Sequence, residues 1–281
     1  MSAQSEAPRS RNFRRAAFAA VLAAALALVL SGPARAGDWV AGPKSQARLL
    51  DGGFHDGARY ALAQIRLDGA AATYWRDPGE AGAPPTFDFA GSDNIAEVAT
   101  LYPQPARIDE DGAQAFGYQN EVVFPIRVTP ADPARPVDLD LRLDYAVCDK
   151  ICIPVHASLS ENLAPQPPAP DTTLLDAALR NVPKTLDGEA ASAFAKVEPA
   201  PPAAGKPQWR VTVEGAEARD LFVEAPAGFY VEVKPGGAQN VFLLALVDHP
   251  AKKMRPELPL RVTVAGPAPA EFDLALPQAK N

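Results

Sequence analysis

The sequence V-D-L-D-L-R-L-D-Y-A-V-C-D-K-I-C-I-P-V-H-A-S-L-S, residues 137–160, contains both cysteines of the 281-residue chain, Cys148 and Cys152. From 137 to 147 the odd positions are apolar and the even positions are mostly charged. This period of two predicts a half-buried β-strand. The alternation resumes after residues 149–151, so the segment is predicted to be a β-hairpin with a three-residue loop.

In this hairpin Cys148 and Cys152 flank the loop, and the alternation predicts that both lie on the polar, exposed face. Residues that face each other in an antiparallel pair have Cα atoms about 4.5 to 5.5 Å apart, a separation that a disulfide tolerates. The two cysteines can therefore pair at the surface. A purely structural disulfide remains an alternative, although so small a loop gives only about 2 kcal/mol. A pair of metal ligands on a helix is a further alternative, against which the alternation and Pro154 argue.

The charged side chains around the cysteines are also placed by the hairpin register. His156 is expected opposite Asp144 as a surface ion pair, too far along the strand to act as a base for either sulfur. Asp149 should disfavour a thiolate at Cys148, whereas Lys150 should favour it. The local sequence therefore predicts a redox pair that is attacked by its partners, without a strongly acidified nucleophile.

Residues 1–36 have the pattern of a cleavable signal peptide. Four arginines precede an apolar run at 16–30, and A-R-A at 34–36 resembles a cleavage site, so the mature chain is expected to begin near Gly37. No later segment is long and apolar enough to suggest a membrane span. The alanine-rich and proline-rich composition is typical of bacterial proteins, which favours the periplasm. In that oxidising compartment the cysteines are expected to be a disulfide at rest.

The chain is acidic, with 34 acidic and 27 basic residues and a formal net charge of −7. Loss of the arginine-rich leader would make it more acidic still. Such a charge balance argues against nucleic acid as a partner. The sequence contains neither a glycine-rich phosphate loop nor a Cys/His cluster, so no cofactor and no metal site are predicted.

Short alternating segments separated by turn residues predict that residues 37–163 form an antiparallel β-sandwich that carries the cysteine pair. The proline-rich residues 164–170 are expected to be a stiff linker. Residues 171–281 should form a second β-rich domain, which begins with a helix at 172–181 capped by Asp171. Six strands are predicted there, at 209–213, 221–224, 229–233, 241–247, 260–264 and 272–276. The expected fold class is all-β, with two sandwiches and a short helical segment at the start of the second.

Several short motifs resemble those of one family. They are Y-W-R-D-P-G at 74–79, F-G-Y at 116–118, V-F-P at 123–125, Y-A-V-C at 145–148 and C-I-P at 152–154. Together they resemble the N-terminal periplasmic domain of the thiol:disulfide interchange protein DsbD, and the resemblance covers about residues 45–163. It implies that the sandwiches are immunoglobulin-like. It also implies that Cys148 and Cys152 take electrons from a thioredoxin-like domain and pass them to periplasmic disulfide isomerases or other oxidised proteins.

The resemblance also implies a cap over the cysteines. In this family a loop with an aromatic tip covers the pair when no partner is bound, and residues 109–118 occupy the matching place. Phe116 is the expected cap residue, and Tyr118 is the second choice. The present hairpin has fewer residues between its cysteines than the best-known members. The chain lacks their membrane-spanning and thioredoxin-like parts, so a stand-alone protein is expected.

The leading functional hypothesis is a periplasmic thiol–disulfide relay with protein-disulfide reductase activity. Two alternatives remain. The reduced pair could handle copper(I), because soft thiolates suit that ion. The chain could instead be a non-enzymatic immunoglobulin-like interaction module in which the disulfide only ties the hairpin.

Overall fold

A computed structural model describes residues 37–110, 112–166, 172–249 and 257–277. The predicted signal peptide lies outside the described residues, as do residues 167–170 of the predicted linker and the predicted helix cap Asp171. The described part is built mainly of β-strands, with two short helices. The predicted all-β class is therefore confirmed.

The first eleven strands form one β-sandwich. Their bounds are β1 Val40–Gly42, β2 Ser45–His55, β3 Ala58–Leu67, β4 Ala72–Gly79, β5 Thr86–Asp88, β6 Ile95–Thr100, β7 Ala106–Glu110, β8 Ala113–Gln119, β9 Glu121–Pro130, β10 Val137–Cys148 and β11 Cys152–Leu163. One sheet has the order β1-β2-β3-β9-β6, and the other has the order β11-β10-β4-β8-β7 with β5 paired to β10. All pairs are antiparallel.

The core of this sandwich lies between the two sheets. Its largest contribution from one strand comes from β10, where Leu139, Leu141 and Leu143 are at most 1% exposed. They pack in one cluster with Phe124 and Ile126 of the opposite sheet. Because successive strand side chains point to opposite faces, the charged residues between these leucines face solvent. The strict alternation of this strand therefore fixes which of its faces is buried.

A helix, α1 (Thr173–Asn181), packs against the first sandwich, although it follows the predicted linker. Leu175 is fully buried and forms a cluster with Tyr60 and Leu62 of β3. At the same surface His55 Nδ1 lies 3.1 Å from Asp176 Oδ1. The helix ends before Pro183, which cannot continue it. Its apolar face is thus buried on the preceding sandwich.

The remaining elements form a second sandwich. Their bounds are β12 Lys184–Leu186, α2 Gly188–Phe194, β13 Ala195–Ala203, β14 Lys206–Val213, β15 Asp220–Glu224, β16 Tyr230–Pro235, β17 Val241–Asp248, β18 Leu258–Ala265 and β19 Ala270–Leu276. Its sheets have the orders β12-β19-β18-β15 and β13-β14-β17-β16, and β12 runs parallel to β19. The six strands predicted from the sequence correspond to β14 through β19.

An aromatic side chain of the second sandwich enters the core of the first. Phe222 of β15 is 1% exposed and belongs to the first core cluster. Its ring centroid lies 6.0 Å from that of Trp75 and 5.0 Å from that of Phe116. Edge-on aromatic contacts of this kind add to the free energy of area burial. The two sandwiches therefore share buried apolar surface.

Two arginines of the first sandwich surround this aromatic contact with ion pairs. Arg76 donates to Glu224 at 2.7 Å and to Glu271 at 2.8 Å. Arg107 donates to Asp220 at 2.7 Å. These side chains are partly buried, so their attraction is screened less than that of a surface pair. The interface is thus both apolar and charge-matched.

We expect Glu271 to give the protein a component of stability that depends on pH. Burial raises the pKa of its carboxyl, but hydrogen bonds from Arg76 and Arg261 outweigh burial and hold the pKa below the ordinary value of 4.5. A depressed folded-state pKa contributes stability above the unfolded value, and this contribution is lost as the pH falls through the folded value. The free energy of unfolding should therefore fall as the pH drops from about 7 to about 3.5.

Urea unfolding at these two pH values measures the effect, with Glu271→Gln as the comparison. The variant should be less stable than the parent at neutral pH and should lose less stability on acidification. Equal losses in the two proteins would show that the Glu271 carboxyl does not carry this pH dependence.

Candidate functional site

The hairpin of β10 and β11 forms as predicted, with Cys148 paired directly to Cys152 beside the loop 149–151. The two cysteines are joined in a disulfide with a Cα–Cα distance of 4.1 Å. Cys152 begins β11, which is the edge strand of its sheet, whereas Cys148 ends β10, which lies between β11 and β4. The disulfide therefore joins an edge strand to an inner strand.

The two sulfur-bearing residues differ in exposure. Cys152 is exposed, whereas Cys148 is only 4% exposed. The expectation that both lie on an open polar face is therefore wrong for Cys148. Its neighbour across the sheet is Ala72 of β4, and an apolar cluster that includes Tyr74 and Ala115 covers it. An attacking thiol thus finds Cys152 accessible and Cys148 covered.

A buried tyrosine lies next to the disulfide. Tyr74 is fully buried, donates its hydroxyl hydrogen to Glu110 Oε1 at 2.6 Å, and holds its hydroxyl oxygen 3.5 Å from Cys152 Sγ. Burial, followed by the hydrogen bond to Glu110, raises the pKa of this phenol above its ordinary value. The hydroxyl therefore stays protonated beside the sulfur. Tyr74 is part of the Y-W-R-D-P-G motif, but nothing in its spacing distinguished it as a site residue.

The structure places the predicted cap residues elsewhere. Residues 109–110 belong to β7 and residues 113–118 belong to β8, and Ala115 lies in the cluster around Cys148. Because side chains alternate along a strand, Phe116 points to the other face, where it packs against Phe222. Tyr118 is also in the first core, where its hydroxyl donates to the Pro103 carbonyl at 2.8 Å. The assignment of Phe116 or Tyr118 as the cap is therefore corrected.

The loop at the tip of the hairpin combines a fixed charge with an exposed apolar side chain. Lys44, in the turn between β1 and β2, donates to Asp149. The hydrogen bond and then the charge of Lys44 hold the pKa of the Asp149 carboxyl below its ordinary value. Ile151, which directly precedes Cys152, is 71% exposed. The loop therefore exposes an apolar side chain directly beside the exposed Cys152.

The predicted ion pair near the hairpin is present. His156 faces Asp144 in the register, and their Nδ1 and Oδ1 atoms are 2.6 Å apart. Both side chains are largely exposed, at 76% and 57%. The pair lies on the outer surface of β10 and β11, and it contacts neither cysteine in the described structure.

The described residues contain no metal-binding cluster, because they hold no group of three or more His, Cys, Asp or Glu side chains that could bind a metal ion. Within the same ranges, no helix has both the length and the apolar character needed to cross a membrane.

The β-sandwich carries a disulfide at a sheet edge, with Cys152 exposed and Cys148 covered beside a buried tyrosine. This arrangement is suited to disulfide exchange. Residues 45–164 match the family described as "Thiol:disulfide interchange protein DsbD, N-terminal". This part of the chain is therefore similar to that family and has an immunoglobulin-like fold, so the resemblance drawn from the sequence is confirmed.

A solved structure extends the fold comparison to the second sandwich. The N-terminal periplasmic domain of ScsB from Proteus mirabilis matches with a TM-score of 0.65 and 22% identity, over 86% of this chain and 98% of that one. At this identity the match shows that the fold is shared. No curated protein matches the chain.

Proposed function

We propose that the protein is a periplasmic thiol–disulfide relay that exchanges electrons with thioredoxin-like proteins and other oxidised or reduced protein partners through Cys152. The observation that carries this proposal is the unequal exposure of the disulfide, with Cys152 on an edge strand and Cys148 covered. Exchange proceeds by attack of a thiolate on an accessible disulfide sulfur. The match of residues 45–164 to the N-terminal family of DsbD supports the same chemistry.

The proposed reaction transfers two electrons in two steps. A partner thiolate attacks Cys152 Sγ, the bond to Cys148 breaks, and Cys148 leaves as a thiolate that takes up a proton. The second thiol of the partner loses its proton and attacks the partner's own sulfur in the mixed disulfide, which releases Cys152 as a thiolate. The partner is thereby oxidised to a disulfide, and the Cys148–Cys152 pair is reduced to a dithiol. The reverse sequence reduces an oxidised partner.

Tyr74 lies where its hydroxyl could stabilise the Cys152 thiolate that forms during exchange. Its hydroxyl oxygen is already 3.5 Å from Cys152 Sγ, and its raised pKa keeps the hydroxyl hydrogen in place. A hydrogen bond from a neutral donor to a thiolate favours the charged form. Glu110 now accepts the only hydroxyl hydrogen, so donation to the sulfur requires the hydroxyl to rotate away from Glu110. Tyr74 thus holds its hydroxyl within reach of the sulfur that partners attack.

Ile151 is the side chain that a partner would cover first, and Ile151→Asp is expected to slow exchange with a reduced thioredoxin-like protein about tenfold. Burying an aliphatic side chain of this size contributes about 1.5 to 3 kcal/mol, and a tenfold change corresponds to about 1.4 kcal/mol. The measurement is the second-order rate constant for reduction of the Cys148–Cys152 disulfide. Reduction by dithiothreitol should remain within about twofold of the parent, because so small a thiol makes little contact with Ile151.

Phe54→Ala is a matched control, since Phe54 is another exposed apolar side chain, at 44%, on strand β2. It should exchange at the parent rate. The relay itself is contradicted if no thioredoxin-like protein reduces the parent and if its reduction potential lies below about −300 mV, as for inert structural disulfides.

A further inference from the structure

The loop 80–85, which joins β4 to β5, lies beside the disulfide site. Its residue Ala81 packs against the apolar cluster that contains Cys148 and Tyr74. Gly82 crosses the ring of Tyr74 so closely that a Cβ there would lie 2.2 Å from Cε1 of the ring. Its φ of +92° is also a conformation that L side chains rarely adopt. The loop backbone therefore lies directly on the tyrosine that adjoins the disulfide.

The loop is attached to the first sandwich at both ends. At its start, Glu80 N donates to the Gln114 carbonyl at 3.0 Å, and Gln114 N donates to Glu80 Oε2 at 3.0 Å. At its end, the Tyr102 hydroxyl donates to the Pro85 carbonyl at 3.4 Å. Residues 81–84 lie between these anchors, and Ala81 and Gly82 make the contacts with the site. The bonds at the two ends hold the loop in register with those contacts.

The second sandwich supplies a further anchor. Tyr230, the first residue of β16, donates its hydroxyl hydrogen to Glu80 Oε1. The backbone bond from Gln114 and then the bond from Tyr230 hold the pKa of Glu80 below its ordinary value, so the carboxylate accepts from both sandwiches at neutral pH. Glu80 thereby connects β16 of the second sandwich to the loop over Cys148.

We propose that Tyr230 is a positioning residue of the disulfide site, which acts through Glu80 to hold loop 80–85 across Cys148 so that incoming thiols attack Cys152. This inference rests on the proposed function, because it concerns the same disulfide. It gives the second sandwich a part in the chemistry, since it helps to determine which sulfur is attacked. In this proposal Tyr74 and the loop 80–85 together shield Cys148, and the second sandwich helps to hold that loop in place.

Tyr230→Phe tests the proposal, because it removes only the hydroxyl that bonds Glu80. Oxidised protein is exposed briefly to glutathione, free thiols are blocked with an alkylating agent, and peptide mass spectrometry measures the adduct on each cysteine. The parent should carry glutathione almost entirely on Cys152. In the variant the share on Cys148 should rise about three- to tenfold, as expected for the loss of one solvent-exposed hydrogen bond of ordinary net strength. Tyr60→Phe, which removes a hydroxyl from the other sheet, should match the parent.

Glu80→Ala provides a second, independent variant, since it removes the side-chain bonds to both Gln114 and Tyr230. It should raise the share of adduct on Cys148 at least as much as Tyr230→Phe does, and adding Tyr230→Phe to it should have no further effect. An unchanged share in Tyr230→Phe overturns the proposal, as does an additive effect in the double variant. Thermal unfolding verifies that each variant is folded.

The same samples separate this proposal from the proposed function. The parent is also mixed with a reduced thioredoxin-like protein. If that protein cannot reduce the disulfide, the relay is excluded. The shares of glutathione on the two cysteines still show whether Tyr230 controls how well loop 80–85 shields Cys148. If the thioredoxin-like protein reduces the disulfide rapidly but Tyr230→Phe leaves the shares of glutathione on the two cysteines unchanged, the relay is supported and the positioning role of Tyr230 is excluded.

Discussion

Cys148→Ala is expected to accumulate a mixed disulfide with a redox partner, whereas Cys152→Ala is expected to accumulate at least tenfold less. With Cys148 removed, the remaining thiol is the exposed Cys152 on the edge strand. Nothing in the protein can then resolve a bond between Cys152 and a partner. With Cys152 removed, the remaining thiol is only 4% exposed and lies in the apolar cluster with Tyr74, against which Ala81 packs. Access, which controls the rate of exchange, thus differs between the two variants.

The measurement is non-reducing electrophoresis of extracts from cells that express each full-length variant, followed by mass spectrometry of the captured protein. The variant with both cysteines replaced by alanine provides the background. Capture by Cys152→Ala at the level of Cys148→Ala would contradict the assignment of Cys152 as the sulfur that partners attack. The identity of the captured partners would show whether the relay receives or delivers electrons.

The hairpin could be predicted from the sequence because its evidence is local. Alternation along β10, the three-residue loop and the facing cysteines all follow from residues 137–160, and the register has Cys148 opposite Cys152. The burial of Cys148 could not be predicted in this way. It is produced by Ala72 and Tyr74 of β4 and by Ala115 of β8, which are distant in the sequence. Periodicity reports the faces of a strand, but not what the neighbouring strands place over them.

The β7–β8 hairpin could not be predicted because β8 alternates small with larger side chains and not apolar with polar ones. In A-Q-A-F-G-Y-Q, the sequence of β8, small residues occupy the face that meets Cys148 and aromatic residues occupy the face that meets the core. Phe116 was therefore interpreted as a loop residue. A one-residue change of position reverses the face of a strand side chain, so a cap and a core residue differ by a single step in the sequence.

Strand β13 was missed for a different reason. The prolines of E-P-A-P-P at residues 198–202 are typical of a break between elements, yet the segment Ala195–Ala203 is a strand. It pairs on one side only, with β14. Proline cannot donate a backbone hydrogen bond, so within sheets it is tolerated where one side needs no partner. Edge position cannot be inferred from composition alone, because it depends on the order of the strands.

The interface between the sandwiches also could not be predicted from the sequence. Phe222 belongs to a strand that was predicted, at 221–224, and its apolar character gave no indication that it would enter the core of the other domain. The same is true of Tyr230, whose hydroxyl bonds Glu80. Contacts between domains depend on how two finished surfaces fit, and neither local pattern nor turn chemistry encodes that fit.

Phe222→Ala should have the largest effect on stability of any single change discussed, a loss of about 3 to 5 kcal/mol in the free energy of unfolding. This is the usual cost of truncating a buried phenylalanine, and Phe222 is 1% exposed between Trp75 and Phe116. Truncation of Phe222 would leave a cavity between the two sandwiches, so it should also weaken the contact between them. Urea unfolding should then show the first sandwich and the second unfolding in separate transitions.

Phe242→Ala is the matched control, since Phe242 is 5% exposed within the second core. It should destabilise the second sandwich while leaving Phe222 in the first core. The reaction of the disulfide with glutathione independently reports whether the two sandwiches remain in contact. Phe222→Ala should increase the share of glutathione on Cys148, because a second sandwich that no longer docks cannot hold Glu80 through Tyr230. A loss of less than about 1 kcal/mol, well below the range for a buried phenylalanine, would show that Phe222 is not a principal contact between the two sandwiches.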